Sequence, residues 1–389
     1  MNRLLHQLSL ASHWPMLVAV TVLTGVGLLS IWADEPAAGQ KQLVFFAIAV
    51  ACMAAFQLLD YRVLGARYST IFYAGACVLI GYTILGSVVT VPGVSARNGA
   101  YNWIDFGPIA LQPAELMKVA FVLVLARYLR FRSNYRTLGG LLPPFLLAGG
   151  PMLLILKQPD LGTALVFIPA LLAMLFVAGA RMKHLLAVAG MGLACAPVLW
   201  LSGLPGVPVF EHLPSVIKTY QRERVYAMFS DDPDMLEGVG FQPRMGLMSM
   251  GSGGFFGKGV GDIEVGRQVP ERRNDMIFTI IGEQFGFVGS VVIVGCYLVI
   301  FFVGIEIAGS TREPFGRLVA IGIVAILAGQ TFINLMVATK LMPVTGVTLP
   351  FVSSGGSSLI ASFMSIGLLL NIGQKRPIVM GKKMFEYQD

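Results

Sequence analysis

The chain has 389 residues, 56% of them hydrophobic and only 13% charged, with a formal net charge of +7. A soluble domain carries about a quarter charged residues, so the composition excludes an ordinary soluble fold. It predicts an all-α polytopic membrane protein whose spans each need ~20 apolar residues. The positive charge does not point to nucleic acid. The basic residues sit in short loops between apolar runs, where they set orientation and meet anionic headgroups.

In chain order, the first apolar run (14–32) follows the polar MNRLLHQLSLASH and reads as a retained first span. Spans two and three are expected over 43–59 and 70–91, and span four over 113–129, where Pro113 suits a first helical turn. Spans five, six and seven fall at 141–156, 161–178 and 184–203. Residues 204–275 form one large polar loop. Span eight (276–307) is longer than a bilayer requires, which predicts tilt or a protruding end. Span nine is 318–338, and span ten, 347–372, is interrupted by Pro350 and Gly355-Gly356.

Ten transmembrane helices in a single domain, 1–389, put both termini on one side. The terminus side holds fifteen Lys and Arg, from Arg3 through Arg130 and Arg136 to Lys383. The short loops opposite hold four: Lys41, Arg97, Lys157 and Lys340. The positive-inside bias therefore predicts cytoplasmic termini and an extracytoplasmic loop between helices 7 and 8. Cys52, Cys77, Cys195 and Cys296 lie in apolar runs and form no CxxC pair, so they read as small buried hydrophobes. The four histidines make no HExxH, and no GxSxG elbow supports a serine hydrolase.

Asp275 closes the large loop within GRQVPERRNDMIFTIIGEQFG, with Arg272 and Arg273 just before it. A carboxylate at the water–lipid boundary beside positive charge suits a general base facing a membrane-bound substrate. It equally suits a helix N-cap, and the two roles are compatible. Glu115 and Lys118 lie three apart and share a helix face. They read as a buried ion pair or as the polar wall of a substrate cavity. Asp160 precedes span six, as its cap or as a second outward carboxylate able to hold a divalent cation.

The run GSGGFFGKGVG (251–261) is no phosphate loop: Ser252 stands where the first Walker glycine belongs, and Gly259 follows Lys258 where Ser or Thr is required. No nucleotide cofactor is expected. The run reads as a flexible loop that lets backbone amides approach an anionic headgroup, or as a bare linker. Tyr220, Gln221, Arg222 and Arg224 open a stretch with Val225, Met228 and Phe229 at helical spacing. That predicts an amphipathic helix lying on the membrane face or packed on the spans. Pro350 and the small residues after it predict a broken helix lining a cavity, or a packing kink.

IALQPAELMKVAF, LKQPDLGTAL, GSGGFFGKGVG, GRQVPERRNDMIFTIIGEQFG and MPVTGVTLPFVSSGGSSL resemble, in order and spacing, motifs of the SEDS family (shape, elongation, division, sporulation). The length is more similar to its elongation branch (RodA-like) than to its division branch (FtsW-like). The resemblance implies a bacterial inner-membrane peptidoglycan glycosyltransferase for cell elongation and shape. It would polymerise lipid II into β-1,4 glycan strands by inverting displacement of polyprenyl pyrophosphate. The family's base falls on Asp275. Arg272, Arg273 and Lys258 are implied for the pyrophosphate, and Gln112, Glu115, Lys118, Asp160, Gly355 and Ser357 for substrate binding. Mg²⁺ or Mn²⁺, at Asp160 or Asp275, is compatible with the carboxylates. The implied partner is a class B penicillin-binding transpeptidase. The rival readings are a lipid II flippase and a non-catalytic scaffold for that transpeptidase. Departures from the family pattern occur at Asn102, Ala114, Arg273-Asn274 and Ser354, while the carboxylate and ammonium positions are kept.

Overall fold

The structure, a computed structural model, describes residues 13–374 apart from 98, 108, 205–211, 213–216, 231, 233, 234 and 236. Arg3, Lys375, Arg376, Lys382 and Lys383, on which the cytoplasmic assignment of the termini partly rests, lie outside the described residues. The main helices are α1 (Trp14–Asp34), α2 (Pro36–Leu58), α3 (Ser69–Leu85), α4 (Pro113–Phe131), α5 (Leu142–Lys157) and α6 (Leu161–Ala178). They continue with α7 (Met182–Leu201), α8 (Thr219–Phe229), α9 (Phe241–Ser252), α10 (Ile277–Ser310), α11 (Pro314–Ala338) and α12 (Gly356–Gly373).

Among the described residues, eight helices are long and apolar enough to cross a membrane: α1, α2, α5 with its preceding turn, α6, α7, α10, α11 and α12. The chain is an integral membrane protein. Two further expected spans form helices that fall outside that group. Helix α3 has 17 residues, and α4 carries Glu115, Lys118, Arg127 and Arg130 along its length.

Local chemistry explains the helix starts. Proline opens α1, α2, α4 and α11, where its missing N–H costs nothing. Glu313 caps α11 by accepting from the Gly316 amide at 3.1 Å. Helix α6 ends on Gly179 at φ 97°, the left-handed position that glycine occupies without strain. Packing runs α2 along α12, α11 against α6 and α10, and α10 against α1.

Three expectations change. The third helix stops at Leu85, well short of residue 91. The stretch read as a plain loop after it holds an antiparallel hairpin, β1 (Ile104–Phe106) and β2 (Ile109–Leu111), with Ile104 opposite Leu111. The tenth apolar run, expected as a helix over 347–372 interrupted at Pro350 and Gly355-Gly356, has no helix before those interruptions. Residues 343–349 are neither helix nor strand, 350–354 turn, and the helix begins only at Gly356. The excess length of the eighth run is taken up by a break at Gly286, φ 67° and ψ −163°.

Candidate active site

A nonhelical segment such as 343–353 cannot sit among apolar helices unless its carbonyls and amides find partners. Side chains from several helices supply them. Asn334 Nδ2 donates to Val347 O at 2.8 Å, and Gln330 Nε2 to Thr348 O at 2.9 Å. Tyr297 OH donates to Pro350 O at 2.5 Å, Gln42 Nε2 to Ser353 O at 3.2 Å, and Arg224 Nη1 to Val344 O at 2.6 Å. Glycines let the helices close on it: a Cβ on Gly27 or Gly162 would lie 2.5 Å from Val352 O or Thr345 O. Gln330 and Asn334, four apart on α11, were not singled out from sequence. Two amides on one face of an apolar helix were the available signal.

The same segment holds the residues around Asp275. Ser354 N donates to Arg273 O at 2.7 Å, and Ser353 Oγ to Asn274 O at 2.5 Å. Asn334 Nδ2 donates to Asp275 O at 2.7 Å. Three consecutive carbonyls are thus pinned, so the Asp275 side chain leaves a fixed backbone. That side chain is 6% exposed, and its Oδ1 has no hydrogen-bond partner among the described residues. Burial pushes its pKa up to about 7; nearby Glu271 adds to the rise, while Arg224 and Gln242 oppose it. The sequence places this carboxylate at the water–lipid boundary, facing a membrane-bound substrate. The structure buries it and makes its proton labile near neutrality. Met276, rather than Asp275, occupies the N-cap position of α10, and no side-chain capping bond is present there.

Arg272 and Arg273 are already paired. Arg272 Nε bonds both Asp34 oxygens at 3.1 and 3.0 Å, and Arg273 pairs with Asp34 at 3.6 Å and with Glu35. These acids end α1, more than two hundred residues away in sequence. Lys258 bonds Glu264 at 2.6 Å and Glu283 at 3.0 Å; the hydrogen bond to Glu264, then that to Glu283, holds its ammonium charged.

The glycine run does not offer open amides. At the Gly286 break, α10 frees the carbonyls of Glu283 and Gln284 and the amides of Phe287 and Val288. The loop takes all four: Lys258 N to Glu283 O and Gly259 N to Gln284 O at 3.0 Å, Phe287 N to Gly254 O at 3.0 Å, and Val288 N to Phe255 O at 3.1 Å. The run is a clasp on a broken helix, and this reciprocal exchange explains its glycines. Glu283 completes the clasp. Fully buried, it accepts from Ser249 Oγ at 2.7 Å and from the amides of Glu264, Val265 and Gly266 at 2.9, 3.0 and 2.7 Å. Glu283 stands in the quoted GEQFG yet was not singled out.

Glu115 and Lys118 form the expected pair, 2.8 Å apart and both buried. Lys118 also donates to Gln330 Oε1 at 2.7 Å, and through the Gln330 bond to Thr348 O the pair is tied to the nonhelical segment. Asp160 caps α6, accepting from Thr163 N at 2.9 Å and from Thr163 Oγ1 at 2.8 Å. Burial raises its pKa, and the Thr163 bonds offset part of that. Gln112 Nε2 reaches Asp160 at 3.3 Å, so the two residues meet as expected. Ser357 is buried between Gln112 N (2.9 Å) and Ala110 O (3.1 Å), where it joins the hairpin to α12. Gly355 occupies the N-cap position of α12.

Beside Asp275 opens a cleft of about 310 Å³ lined in part by Tyr220, Arg224, Phe241, Gln242, Pro270 and Val344. Asp275 is not on its wall; the cleft residues Arg224 and Gln242 are its polar neighbours. Helix α8 is docked by buried Arg222, whose Nη2 reaches Ser202 O at 2.5 Å, while Phe229 stays 82% exposed. Of the expected features, the structure therefore brings Asp275 next to two residues of a cleft, Arg224 and Gln242, and Glu115, Lys118, Gln112, Asp160 and Ser357 to the nonhelical segment and hairpin. It ties Arg272, Arg273 and Lys258 to acids.

The chain matches a family model described as cell cycle protein, named for FtsW, RodA and SpoVE, over residues 4–377. It is 34% identical over 378 residues to stage V sporulation protein E of Bacillus subtilis, covering 92% of this chain and 96% of that one. It is 35% identical to a probable peptidoglycan glycosyltransferase FtsW of Geobacter sp. (strain M18), covering 76% and 77%. Its fold is similar, with TM-score 0.72 and 28% identity over 93% of this chain and 98% of the other, to a chain from a peptidoglycan synthase complex that coordinates polymerization and crosslinking. By the match along nearly its whole length, the chain belongs to the FtsW/RodA/SpoVE family of cell cycle proteins, the SEDS family that its motifs resemble.

Proposed function

We propose that this protein is a peptidoglycan glycosyltransferase that polymerises lipid II, with Asp275 as general base. The carrying observation is Asp275 itself: a buried carboxyl with an unpartnered oxygen, on a backbone pinned at three carbonyls, beside a cleft that holds an arginine. A base whose pKa lies near the working pH is ionised often enough to act and basic enough to take a proton. The acceptor's 4-hydroxyl loses its proton to Asp275 as its oxygen attacks the donor's anomeric carbon. The bond to polyprenyl pyrophosphate breaks on the opposite face, and inversion follows. The names of the relatives support the activity class.

The ten-span arrangement, with α3 and α4 counted as spans, cytoplasmic termini, an outward loop and an inner-membrane site, is part of the same reading. It rests on the loop-charge bias. An elongation role is the branch we adopt; complementation of an elongation-defective strain, set against a division-defective one, decides it. The partner is a class B penicillin-binding transpeptidase, a reading supported by the likeness to a chain of a synthase complex.

Asp160 accepts from Thr163 with both oxygens, yet a carboxylate keeps further lone pairs, so Asp160 and Asp275 stay the residues that would hold Mg²⁺ or Mn²⁺. Among the described residues no three acidic, His or Cys side chains converge. No step is therefore routed through an ion, and a divalent cation held there would serve as a counterion of the pyrophosphate.

The test uses the purified complex with its transpeptidase and labelled lipid II, wild type against Asp275→Asn. Polymer from wild type and none from the variant supports the reading. A flippase or a scaffold makes none in either case, and equal polymer from both removes Asp275 as the base.

A further inference from the structure

The geometry points to the cleft between α8, α9 and Pro270 as the pyrophosphate site for the lipid-linked donor, with Arg224 as its cation. This rests on the glycosyltransferase reading and assigns a residue that the motifs did not.

The argument is one of elimination followed by fit. Arg272 and Arg273 are ion-paired with Asp34 and Glu35, and Lys258 with Glu264 and Glu283. An incoming pyrophosphate would have to displace a carboxylate from each. Arg224 is the one charged side chain among the described residues lining the cleft, and its carboxylate neighbour, Asp275, acts on it from off the cleft wall and not as an ion pair among the described contacts. One Nη1 donor is used on Val344 O at 2.6 Å, and the guanidinium lies 5.7 Å from the Tyr220 ring centroid. A guanidinium has five N–H donors in a planar fork, which leaves donors for two phosphate oxygens.

Arg224 is anchored on Val344 O, three residues before Val347, and the Asn334 amide that binds Val347 O also binds Asp275 O. Base and cation are thereby tied to one stretch of backbone through Asn334. The volume of about 310 Å³ takes a diphosphate with part of a sugar, and the rest of the glycan must run along the surface. In the reaction the acceptor oxygen bonds to the anomeric carbon and its proton passes to Asp275. The carbon–oxygen bond to pyrophosphate breaks, and its electron pair stays on the departing diphosphate. Arg224 meets that growing charge.

The test measures binding separately from turnover. The full-length chain with its transpeptidase is placed in nanodiscs, and labelled lipid II is titrated in an Asp275→Asn background. Asp275→Asn binds, inorganic pyrophosphate competes for the site, and Arg224→Ala/Asp275→Asn binds about thirtyfold more weakly, the size of a lost charge-assisted bidentate contact. Equal affinity in the two proteins overturns the assignment. Anionic phospholipid nanodiscs without lipid II serve as the second arm: if excess phosphatidylglycerol competes as well as pyrophosphate does, the cleft takes ordinary headgroups and the assignment fails. Should Arg224→Ala not fold, Arg224→Gln keeps a donor for Val344 O without the charge; a tenfold or greater loss supports the site, and an unchanged affinity overturns it. If wild type makes no polymer while these binding differences hold, the glycosyltransferase reading fails and the diphosphate site stands.

Discussion

Two carboxylates near the start of α10 show how one residue chemistry serves opposite ends. Glu283 is fully buried and accepts from a lysine, a serine and three consecutive backbone amides. Asp275, a little earlier in the chain, is nearly as buried, yet one of its oxygens has no partner among the described residues. A satisfied buried carboxylate holds structure together. An unsatisfied oxygen carries a desolvation cost of about 1–3 kcal/mol, which at Asp275 the neighbouring Arg224 and Gln242 offset only in part. Other buried polar atoms among the described residues also lack partners, Gln284 Oε1 and Asn371 Oδ1 among them, so what sets Asp275 apart is that a titratable group of this kind adjoins a cleft. Unsatisfied polarity on a titratable group beside a cleft is a better guide to chemistry than acidity or burial alone.

The strongest challenge to this contrast is Asp275→Asn. Polymerisation is expected to fall by about 10²–10⁴-fold, the range for a lost general base, while the protein melts no lower than wild type. A melting temperature that collapses with activity would make Asp275 a second Glu283. Glu283→Ala should do the reverse. It leaves three backbone amides without their acceptor and Lys258 with Glu264 alone, so the fold should lose several kcal/mol, at about 1–3 kcal/mol per orphaned group. Thermal unfolding in detergent reads that loss, and an unchanged melting temperature would refute the clasp.

pH sharpens the comparison. The pKa of Asp275 is raised to about 7, so base catalysis should rise with pH through neutrality and level off above it. The single-turnover rate against pH reports this, and a flat profile from pH 5 to 8 contradicts it. Stability runs the other way. A group whose folded pKa exceeds its unfolded value binds its proton more tightly when folded, so its contribution is complete below about pH 4 and is lost as pH rises through 7. Asp275→Asn should therefore melt higher than wild type at pH 8 and no higher at pH 4. The smallest effect is expected at the rim: Glu35→Gln removes the exposed acid paired with Arg273 and should change the melting temperature little, since such pairs are worth about 0–1 kcal/mol. A large loss there would mean that the acid, and not the nonhelical segment, holds the Asp275 junction.

Apolar length and proline position were legible from the start because each is a local property. A run of some twenty apolar residues has one economical answer in a bilayer, and Pro113 or Pro314 can open a helix but not sit inside one without cost. The Glu115–Lys118 pair and the Asp160 cap were equally local, three residues from their partners. The nonhelical stretch at 343–349 overlaps the expected tenth span only from 347, where the apolar run that continues to 372 gives no local sign that the helix starts at Gly356. Carbonyls along 344–353 are satisfied by Asn334, Gln330, Tyr297, Gln42 and Arg224, and no sequence window contains them all.

Sequence by itself determined that this chain lives in a membrane, where most of its helices begin, and that Asp275 stands at a junction between loop and helix. Only the tertiary structure decided which charges are free to act. It gave Arg272 and Arg273 to acids at the far end of α1, gave Lys258 to Glu264 and Glu283, and left Asp275 beside Arg224. Partnering depends on distance in space, and the residues that neutralise or expose a charge come from any part of the chain that the packing brings within hydrogen-bond reach.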